Sequence, residues 1–186
     1  MLHGAKVTLR AMEREDQAVL WTYDNDLGIA LLWGQPAPIS MAATKDRFDK
    51  SLEETEPHYW FAIEAEGKVI GVCDLMDFDP TARTCTLGIA IGERAFWGRG
   101  YGRDAVSTLV DYGFRHLNLH RIWLGVLATN ERAIRSYQAC GFREEVRRRR
   151  HIWVNGDLQD EVMMGLLRAE WRGHPPRRSQ DLPIES

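Results

Sequence analysis

Three glycines at alternating positions, Gly98, Gly100 and Gly102, are the residues of this 186-residue sequence that most directly predict chemistry. Glycine lacks the side chain that would hold a ligand away from the backbone, so consecutive N–H groups around these positions can face an anion. The apolar segment 87–91 precedes the glycines, and segment 105–117 follows with apolar residues at helical spacing. Because the positive end of that helix dipole would point at the ligand, the pattern predicts a phosphate site.

The glycine pattern does not fit a nucleoside triphosphate loop. Such a loop ends in Gly-Lys-Ser/Thr, so that a lysine and a hydroxyl reach the phosphates and the metal. In this sequence Tyr101 follows Gly100 and Arg103 follows Gly102. The phosphate ligand must therefore be of another class.

A dinucleotide site is closer, because segment 100–105 satisfies the pattern G-x-G-x-x-A. That site also needs an acidic residue after the next strand, where segment 128–130 reads Ala-Thr-Asn. Upstream, segments 59–65 and 69–72 flank a Glu-Gly-Lys turn and predict a hairpin. A sheet that begins antiparallel is not the doubly wound sheet of dinucleotide folds.

Four segments, taken together and in order, carry a family resemblance. They are 7–16 (VTLRAMERED), the glycine turn 98–103, 119–134 (LHRIWLGVLATNERAI) and 137–142 (YQACGF). In this order the chain resembles the GNAT superfamily of N-acetyltransferases, most closely the branch with ribosomal-protein N-terminal acetyltransferases and spermidine acetyltransferases. The resemblance implies an α/β (α+β) fold with a mixed, mainly antiparallel central sheet flanked by helices.

The same resemblance implies an activity. The chain is expected to move an acetyl group from acetyl-CoA to a primary amine by direct attack, with no metal. The acceptor amine would be a protein N-terminus or a small molecule such as a polyamine or aminoglycoside. The alternative is a noncatalytic acyl-CoA-binding sensor or module.

The coenzyme site implied by the resemblance joins the glycine turn to the strand before it, whose main chain would pair with the pantetheine amides. The expected cofactor-binding residues are Ile89, Ala90, Ile91, Gly98, Arg99, Gly100, Tyr101, Gly102, Arg103 and Asn130. Asn130 also precedes a helical segment, so its side chain is expected to cap that helix. Trp97 stands where the family usually has Gln or Arg, which matters little if the phosphate contacts are mostly main-chain.

Tyr137 matches the family's tyrosine near the coenzyme sulfur and is the candidate acid for the departing thiolate. The general base is not identified by the resemblance. Many relatives have a glutamate where this chain has Thr86, and threonine cannot serve as that base. Asp74, Asp77 and Glu145 are the acids considered instead, although an acid at a strand end is more often solvated.

The elements that must position these residues follow from hydrophobic periodicity. Strands are predicted over 6–12, 58–66, 68–77, 83–92, 120–127, 143–154 and 158–167, and helices over 14–25, 41–54, 100–117 and 131–139. Asn155-Gly156 predicts a type I′ turn between the last two strands. Residues 1–168 are expected to form a single domain and 169–186 a flexible C-terminal tail.

Two further segments invite interpretation. Trp33 opens the loop 33–38, which would lie over an acceptor pocket, since substrate loops in the resembled branch lie between the first two helices. The run 147–151 (RRRRH) would present charge on both faces of a strand. An exposed edge strand that charge protects against aggregation is the favoured interpretation.

Composition limits the function classes. The net charge of −3 provides no general basic footprint, so no nucleic acid partner is expected. Three cysteines in no metal-type spacing favour a reducing cytoplasm and no metal. No apolar run is long enough to cross a bilayer, so no membrane association is expected. A monomer or homodimer is expected.

Overall fold

The computed structural model describes residues 1–32, 38–53 and 56–173. Its strands are β1 (Leu2–His3), β2 (Thr8–Ala11), β3 (Tyr59–Ala65), β4 (Lys68–Asp79), β5 (Thr84–Ile91), β6 (Arg121–Leu127), β7 (Arg143–Val154) and β8 (Asp157–Leu167). Its α-helices are α1 (Gln17–Asp24), α2 (Leu27–Ala30), α3 (Met41–Ser51), α4 (Tyr101–Arg115) and α5 (Glu131–Ala139). The strands form one sheet in the order β1-β2-β3-β4-β5-β6-β8-β7.

The sheet is antiparallel except where β5 meets β6, which confirms the predicted mixed, mainly antiparallel architecture. Between β3 and β4, Glu66 and Gly67 adopt φ angles of 51° and 73°. Between β7 and β8, Asn155 and Gly156 adopt φ angles of 49° and 84°. These positive φ pairs match the right-handed twist of flanking strands, so both predicted hairpin turns are confirmed.

The two faces of the sheet carry different helices. On one face α4 and α5 pack on the larger apolar cluster, which includes Leu109, Phe114 and Tyr137. On the other face α1, α2 and α3 cover a smaller cluster that contains Leu20 and Phe48. The pleat sends alternate residues to opposite faces, so β3 and β4 supply side chains to both clusters.

The first predicted helix is wrong in its extent. Residues 14–16 form a 3-10 turn, and α1 begins only at Gln17. The cause is Asp16, whose carboxylate accepts hydrogen bonds from the Arg10 guanidinium at 2.7 and 2.8 Å and from the Glu13 N–H at 2.9 Å. The short elements β1 and α2 are additional to the prediction.

The C-terminal segment is attached to the fold over its first residues. Trp171 Nε1 donates to Asp111 Oδ1 at 3.2 Å, and the indole ring lies 6.4 Å from that of Phe114. Trp171, which lies in the predicted tail, therefore contacts the domain. The remainder, 174–186, lies outside the described residues, as do residues 33–37 of the predicted acceptor loop.

The charged run 147–151 lies on β7, the edge strand of the sheet, as predicted. Its alternation is interrupted by an irregularity between Arg148 and Ile152, where Arg150 has a φ of 49°. The Arg150 N–H donates to Asp160 Oδ1 at 2.9 Å instead of to a strand carbonyl. A bulged, charged edge discourages pairing with another chain.

Candidate active site

One cavity of about 1400 Å³ connects the two faces of the sheet. It exists because β5 and β6 are paired over only three residue pairs, ending at Thr86 and Trp123. Beyond that point both side-chain sets of β5 line the cavity, Gly88 and Ala90 from one face and Ile89 from the other. A ligand bound on the α4 side can therefore reach a ligand bound on the α1 side through the opening between the strands.

The glycine turn forms one end of this cavity on the α4 side. Gly98 and Gly100 have φ angles of 71° and 86°, which glycine adopts at little steric cost. Within the described residues, the six N–H groups of 98–103 donate no hydrogen bond, and the first donor is Asp104, to the Gly100 carbonyl. Six open N–H groups at the start of the 15-residue helix α4 make a site suited to a pyrophosphate.

The loop between β1 and β2 holds the glycine turn in place. The buried Asp104 carboxylate accepts hydrogen bonds from the N–H groups of Ala5, Lys6 and Val7 at 2.9, 2.6 and 3.0 Å. Lys6 Nζ donates to the Arg99 carbonyl at 2.7 Å and lies over the Tyr101 ring. An acidic side chain in the first turn of a helix is also favoured by the helix dipole.

The main chain of β5 is open toward the cavity at alternate residues. The Gly92 N–H donates a hydrogen bond to the carbonyl of Ile70 in β4 at 2.9 Å. Because hydrogen-bonded positions alternate along an antiparallel pair, the even-numbered residues of β5 direct their backbone groups to β4. Ile89 and Ile91 direct theirs to the opening, where pantetheine amides would pair. The backbone of Ala90 is directed to β4 instead, and the Ile91 carbonyl accepts a hydrogen bond from Trp97 Nε1 at 2.7 Å.

Of the three side chains expected near the phosphates, Tyr101 is buried, whereas Arg99 and Arg103 are exposed. Tyr101 is buried and its hydroxyl donates to Glu66, whose hydrogen bond raises the pKa of the tyrosine. Arg99 is exposed and lies 3.8 Å from Glu66, while Arg103 is exposed at the cavity wall. Arg132, which the sequence reasoning missed, lies 3.9 Å over the Trp97 ring and lines the cavity.

Asn130 begins α5 and lines the cavity. Its Oδ1 accepts a hydrogen bond from the Ala133 N–H at 3.2 Å, which confirms the predicted helix cap. One amide side chain can cap a helix and still donate from its nitrogen. Its contact with a coenzyme stays a prediction.

Tyr137 lies on the buried side of α5 and lines the same cavity. Burial, with a smaller contribution from Cys140, raises the pKa of its hydroxyl above the ordinary value. A protonated hydroxyl at the cavity wall has the form required of a proton donor to a leaving thiolate.

On the α1 side of the opening, Asp74 and His58 form a pair with 2.9 Å between Oδ2 and Nε2. The imidazole stacks on Trp60 at 6.0 Å between centroids, with the rings 11° from parallel. Trp60, Asp74 and Gly88 are opposed across β3, β4 and β5. The pair therefore lies beside the strand opening, and the sequence reasoning identified only its aspartate.

Two further carboxylates line this side. Asp24, the last residue of α1, is 7% exposed; burial raises its pKa, while the charge of Arg47 acts in the opposite direction. Glu161 on β8 lies over Gly125 of β6, where a Cβ atom would come within 2.4 Å of Glu161 Oε1. Glycine within a strand often marks such a close approach, and Gly88 and Gly125 are the strand positions that Asp74 and Glu161 approach.

The other acids considered as bases are placed elsewhere. Asp77 is exposed at an irregularity of β4, away from the cavity. Glu145 forms a bidentate ion pair with the Arg121 guanidinium, which lowers the pKa of the carboxyl. Neither is suited to accept a proton from a substrate in this cavity. Thr86 Oγ1 is buried and has no partner among the described residues.

The described residues contain no group of three or more His, Cys, Asp or Glu side chains placed to hold a metal ion. Nor does any helix in that part of the chain combine the length and apolar character needed to span a bilayer. Cys73, Cys85 and Cys140 are buried and unpaired.

Comparison with known proteins agrees with this geometry. Residues 6–143 match the family model described as Acetyltransferase (GNAT) domain. The chain is 28% identical to the spermidine N(1)-acetyltransferase of Vibrio cholerae serotype O1, over 90% of this chain and 96% of that protein. It is 31% identical to an uncharacterised N-acetyltransferase of Bacillus licheniformis, over 92% and 98% of the two chains.

A solved structure is similar over nearly the whole chain. It is the spermidine N-acetyltransferase from Vibrio cholerae in complex with CoA and spermine, with a TM-score of 0.83 and 28% identity. The match covers 89% of this chain and 98% of that one.

Proposed function

This chain belongs to the GNAT acetyltransferase family, which transfers acetyl from acetyl-CoA to a primary amine, and we propose that its acceptor is a small polyamine. One observation carries the choice of acceptor. The cavity wall opposite the coenzyme side contains three carboxylates, Asp24, Asp74 and Glu161. A polyamine presents several ammonium groups, and buried carboxylates recognise such cations because each charge compensates the other's loss of solvation.

Basic groups are divided unevenly between the two sides. Arg99, Arg103 and Arg132 lie around the glycine turn and α5, where the phosphates of acetyl-CoA would be held. On the acceptor side Arg47 is exposed, and Arg148 lies 3.3 Å from Glu161. The resulting division of charge supports an anion at one end of the cavity and a cation at the other.

The proposed coenzyme site consists of the open N–H groups of 98–103, the Ile89 and Ile91 main chain, and Asn130. When bound there, acetyl-CoA supplies the thioester that the amine attacks. The chain's own contribution is to orient that thioester at the strand opening and to keep solvent from it. Tyr137 is the proposed proton donor to sulfur, because its hydroxyl stays protonated and lines the cavity.

The proposed setting is the cytoplasm. Three buried, unpaired cysteines support a reducing compartment. The relatives described as spermidine acetyltransferases support a polyamine acceptor. Relatives described as ribosomal protein acetyltransferases make a protein N-terminus the competing acceptor. The assembly is proposed to be a monomer or homodimer.

An acceptor panel tests the choice of substrate. Thiol release from acetyl-CoA is followed with spermidine, a monoamine of similar length, an aminoglycoside and a peptide with an N-terminal alanine. We expect kcat/KM to be highest for spermidine and at least 10-fold lower for the monoamine, because the single ammonium group of the monoamine engages only one carboxylate. Preference for the peptide would overturn the polyamine assignment but leave the amine acetyltransferase activity intact.

A second result separates catalysis from binding. Acetyl-CoA that binds without thiol release for any amine would identify the noncatalytic coenzyme-binding module. The measurement is calorimetric titration of acetyl-CoA into the protein, carried out beside the turnover assay.

A further inference from the structure

We propose that Asp74 and His58 together accept the proton that the acceptor amine must lose before it attacks. The inference rests on the proposed function, since it needs an amine acceptor on the α1 side of the cavity. It assigns a role that the resembled family usually gives to an acid at the position of Thr86. Here that acid is absent from β5, and a carboxylate reaches the same surface from β4.

The register between β4 and β5 places the Asp74 carboxylate close to Thr86. Thr86, Gly88 and Ala90 point to the α1 face of β5, and Asp74 is directly opposite Gly88. A Cβ atom at position 88 would lie 2.1 Å from Asp74 Oδ1, so the carboxylate occupies the space above the glycine. Residues i and i+2 of a strand are about 7 Å apart. The carboxylate therefore lies within one side-chain length of the position that Thr86 leaves without an acid.

Burial and contact prepare this pair for proton transfer. The side chains of Asp74 and His58 are 17% and 27% exposed, and both line the cavity. The 2.9 Å contact joins His58 Nε2 to Asp74 Oδ2, so the carboxylate lies where it can accept a hydrogen bond from a protonated imidazole. Proton uptake converts the contact into an ion pair, the same stabilisation that an aspartate gives to a catalytic histidine.

Among the described residues, the other charged groups that line this side come from α1, α3, β7 and β8. They are Asp24 from α1, Arg47 from α3, Arg148 from β7 and Glu161 from β8. Glu161 is already paired with Arg148 at 3.3 Å and lies 3.6 Å from His151. Asp24 lies at the end of α1 beneath Arg47 and suits an ammonium group held for recognition. Asp74 is the carboxylate that lies against β5 itself, beside the opening through which the thioester is reached.

The net reaction converts the acceptor's ammonium group and the thioester into an amide, a free thiol and one proton. The acceptor enters as R–NH3⁺ and gives one proton to the Asp74–His58 pair, which leaves R–NH2 with a lone pair. Its nitrogen forms a bond to the thioester carbonyl carbon, and the carbon–sulfur bond breaks. Sulfur takes a proton from the Tyr137 hydroxyl, and the second nitrogen proton returns to that oxygen. The pair then releases its proton to solvent, so the amide, the free thiol and one H⁺ are the products.

The pH dependence of kcat/KM for the amine tests this assignment. In the wild type we expect kcat/KM to rise with pH along one limb, because a general base acts only after it has lost its own proton. His58→Ala should lower kcat/KM by about 10²-fold or more and remove that limb, since general base catalysis contributes about 10² to 10⁴. Asp74→Asn should lower it similarly and move the limb to lower pH, because the carboxylate no longer stabilises the imidazolium.

Added imidazole distinguishes proton transfer from structure. In His58→Ala the free base should restore activity in proportion to its concentration, which a merely structural role would not allow. His116→Gln is the matched control, because His116 stacks on Tyr112 at 5.6 Å and lies outside the cavity. We expect its kcat/KM and pH profile to equal those of the wild type.

Each outcome has a defined meaning. Retention of the wild-type kcat/KM and pH limb in His58→Ala and Asp74→Asn would overturn the inference. Loss of activity that imidazole does not restore, with unchanged acetyl-CoA affinity and an unshifted limb, would also overturn it and indicate acceptor binding alone. A wild type without amine turnover would instead contradict the proposed function. If Asp74→Asn fails to fold, Asp74→Glu should retain the limb with reduced kcat.

Discussion

The Asp74 carboxylate lies directly over Gly88, and a Cβ atom at position 88 would come within 2.1 Å of Asp74 Oδ1. The two residues are opposed in the antiparallel pairing of β4 and β5. Glycine is a poor strand residue because it packs no side chain. Because Gly88 has no side chain, the Asp74 carboxylate can lie at the strand opening.

The first prediction concerns this contact. Gly88→Ala should displace the Asp74 carboxylate and lower kcat/KM for the amine by about 10-fold or more, within the range for loss of a positioned base. Acetyl-CoA affinity should stay within about twofold of the wild type, measured by calorimetry. In an Asp74→Ala background the same change should cost nothing further, because the clash is gone; an equal loss in both backgrounds would contradict the account.

The second prediction isolates the glycine turn. A Cβ atom at Gly102 would meet Ile91 Cγ1 at 3.6 Å, an ordinary contact, so Gly102→Ala is compatible with the fold. The added methyl group should keep phosphates from the open N–H groups and raise the Kd for acetyl-CoA by at least about 10-fold. The melting temperature should not fall, since alanine favours a helix over glycine by about 1 kcal/mol. An unchanged Kd would place the coenzyme elsewhere.

The third prediction concerns the proton donor. Tyr137→Phe keeps the buried ring but removes the hydroxyl, so kcat should fall by about 10²-fold while the Kd for acetyl-CoA is retained. Burial raises the pKa of Tyr137, so the wild type should lose no activity through this group up to the ordinary tyrosine value of about 10. Stopped-flow or steady-state thiol release measures both effects. Full activity in the phenylalanine variant would exclude the hydroxyl as the acid.

The fourth prediction concerns Asp24 and its cost to stability. Burial raises its pKa, so the folded state binds this proton more tightly than the unfolded chain does. The contribution to stability is full below the ordinary aspartate pKa of about 3.9 and is lost as the pH rises through the folded value. Asp24→Asn should therefore raise the melting temperature at pH 7.5, and the gain should shrink as the pH approaches 4.

The same variant should lose acceptor affinity. Because the substitution removes the carboxylate that would pair with an ammonium group of the acceptor, KM for spermidine should rise by about 10-fold. The affinity for acetyl-CoA should not change. Asp46→Asn is the matched control, because Asp46 forms an exposed ion pair with Lys50 at 2.7 Å. We expect neither its melting temperature nor its KM to move appreciably, as exposed pairs contribute about 0–1 kcal/mol. A more stable variant with full affinity would remove Asp24 from the acceptor site.

Local sequence patterns predicted most of the secondary structure. Alternation and turn residues such as Asn155-Gly156 identified the hairpins, and the glycines at 98–102 identified the start of α4. The start of α1 was missed because Asp16 is held by Arg10 from another element. Such a contact between distant residues leaves no periodic signal in the segment itself.

The candidate site divides in the same way. By itself, the sequence determined the family, the glycine turn before α4 and the Asn130 cap, because these depend on a few neighbouring residues whose backbone demands are local. Only the tertiary structure decided which acids meet at the strand opening. Asp74 was one of three acids that the sequence left equivalent, and His58 and Asp24 were not identified at all. Their proximity arises from strand register and helix packing, which join residues far apart in the chain and cannot be read from spacing along it.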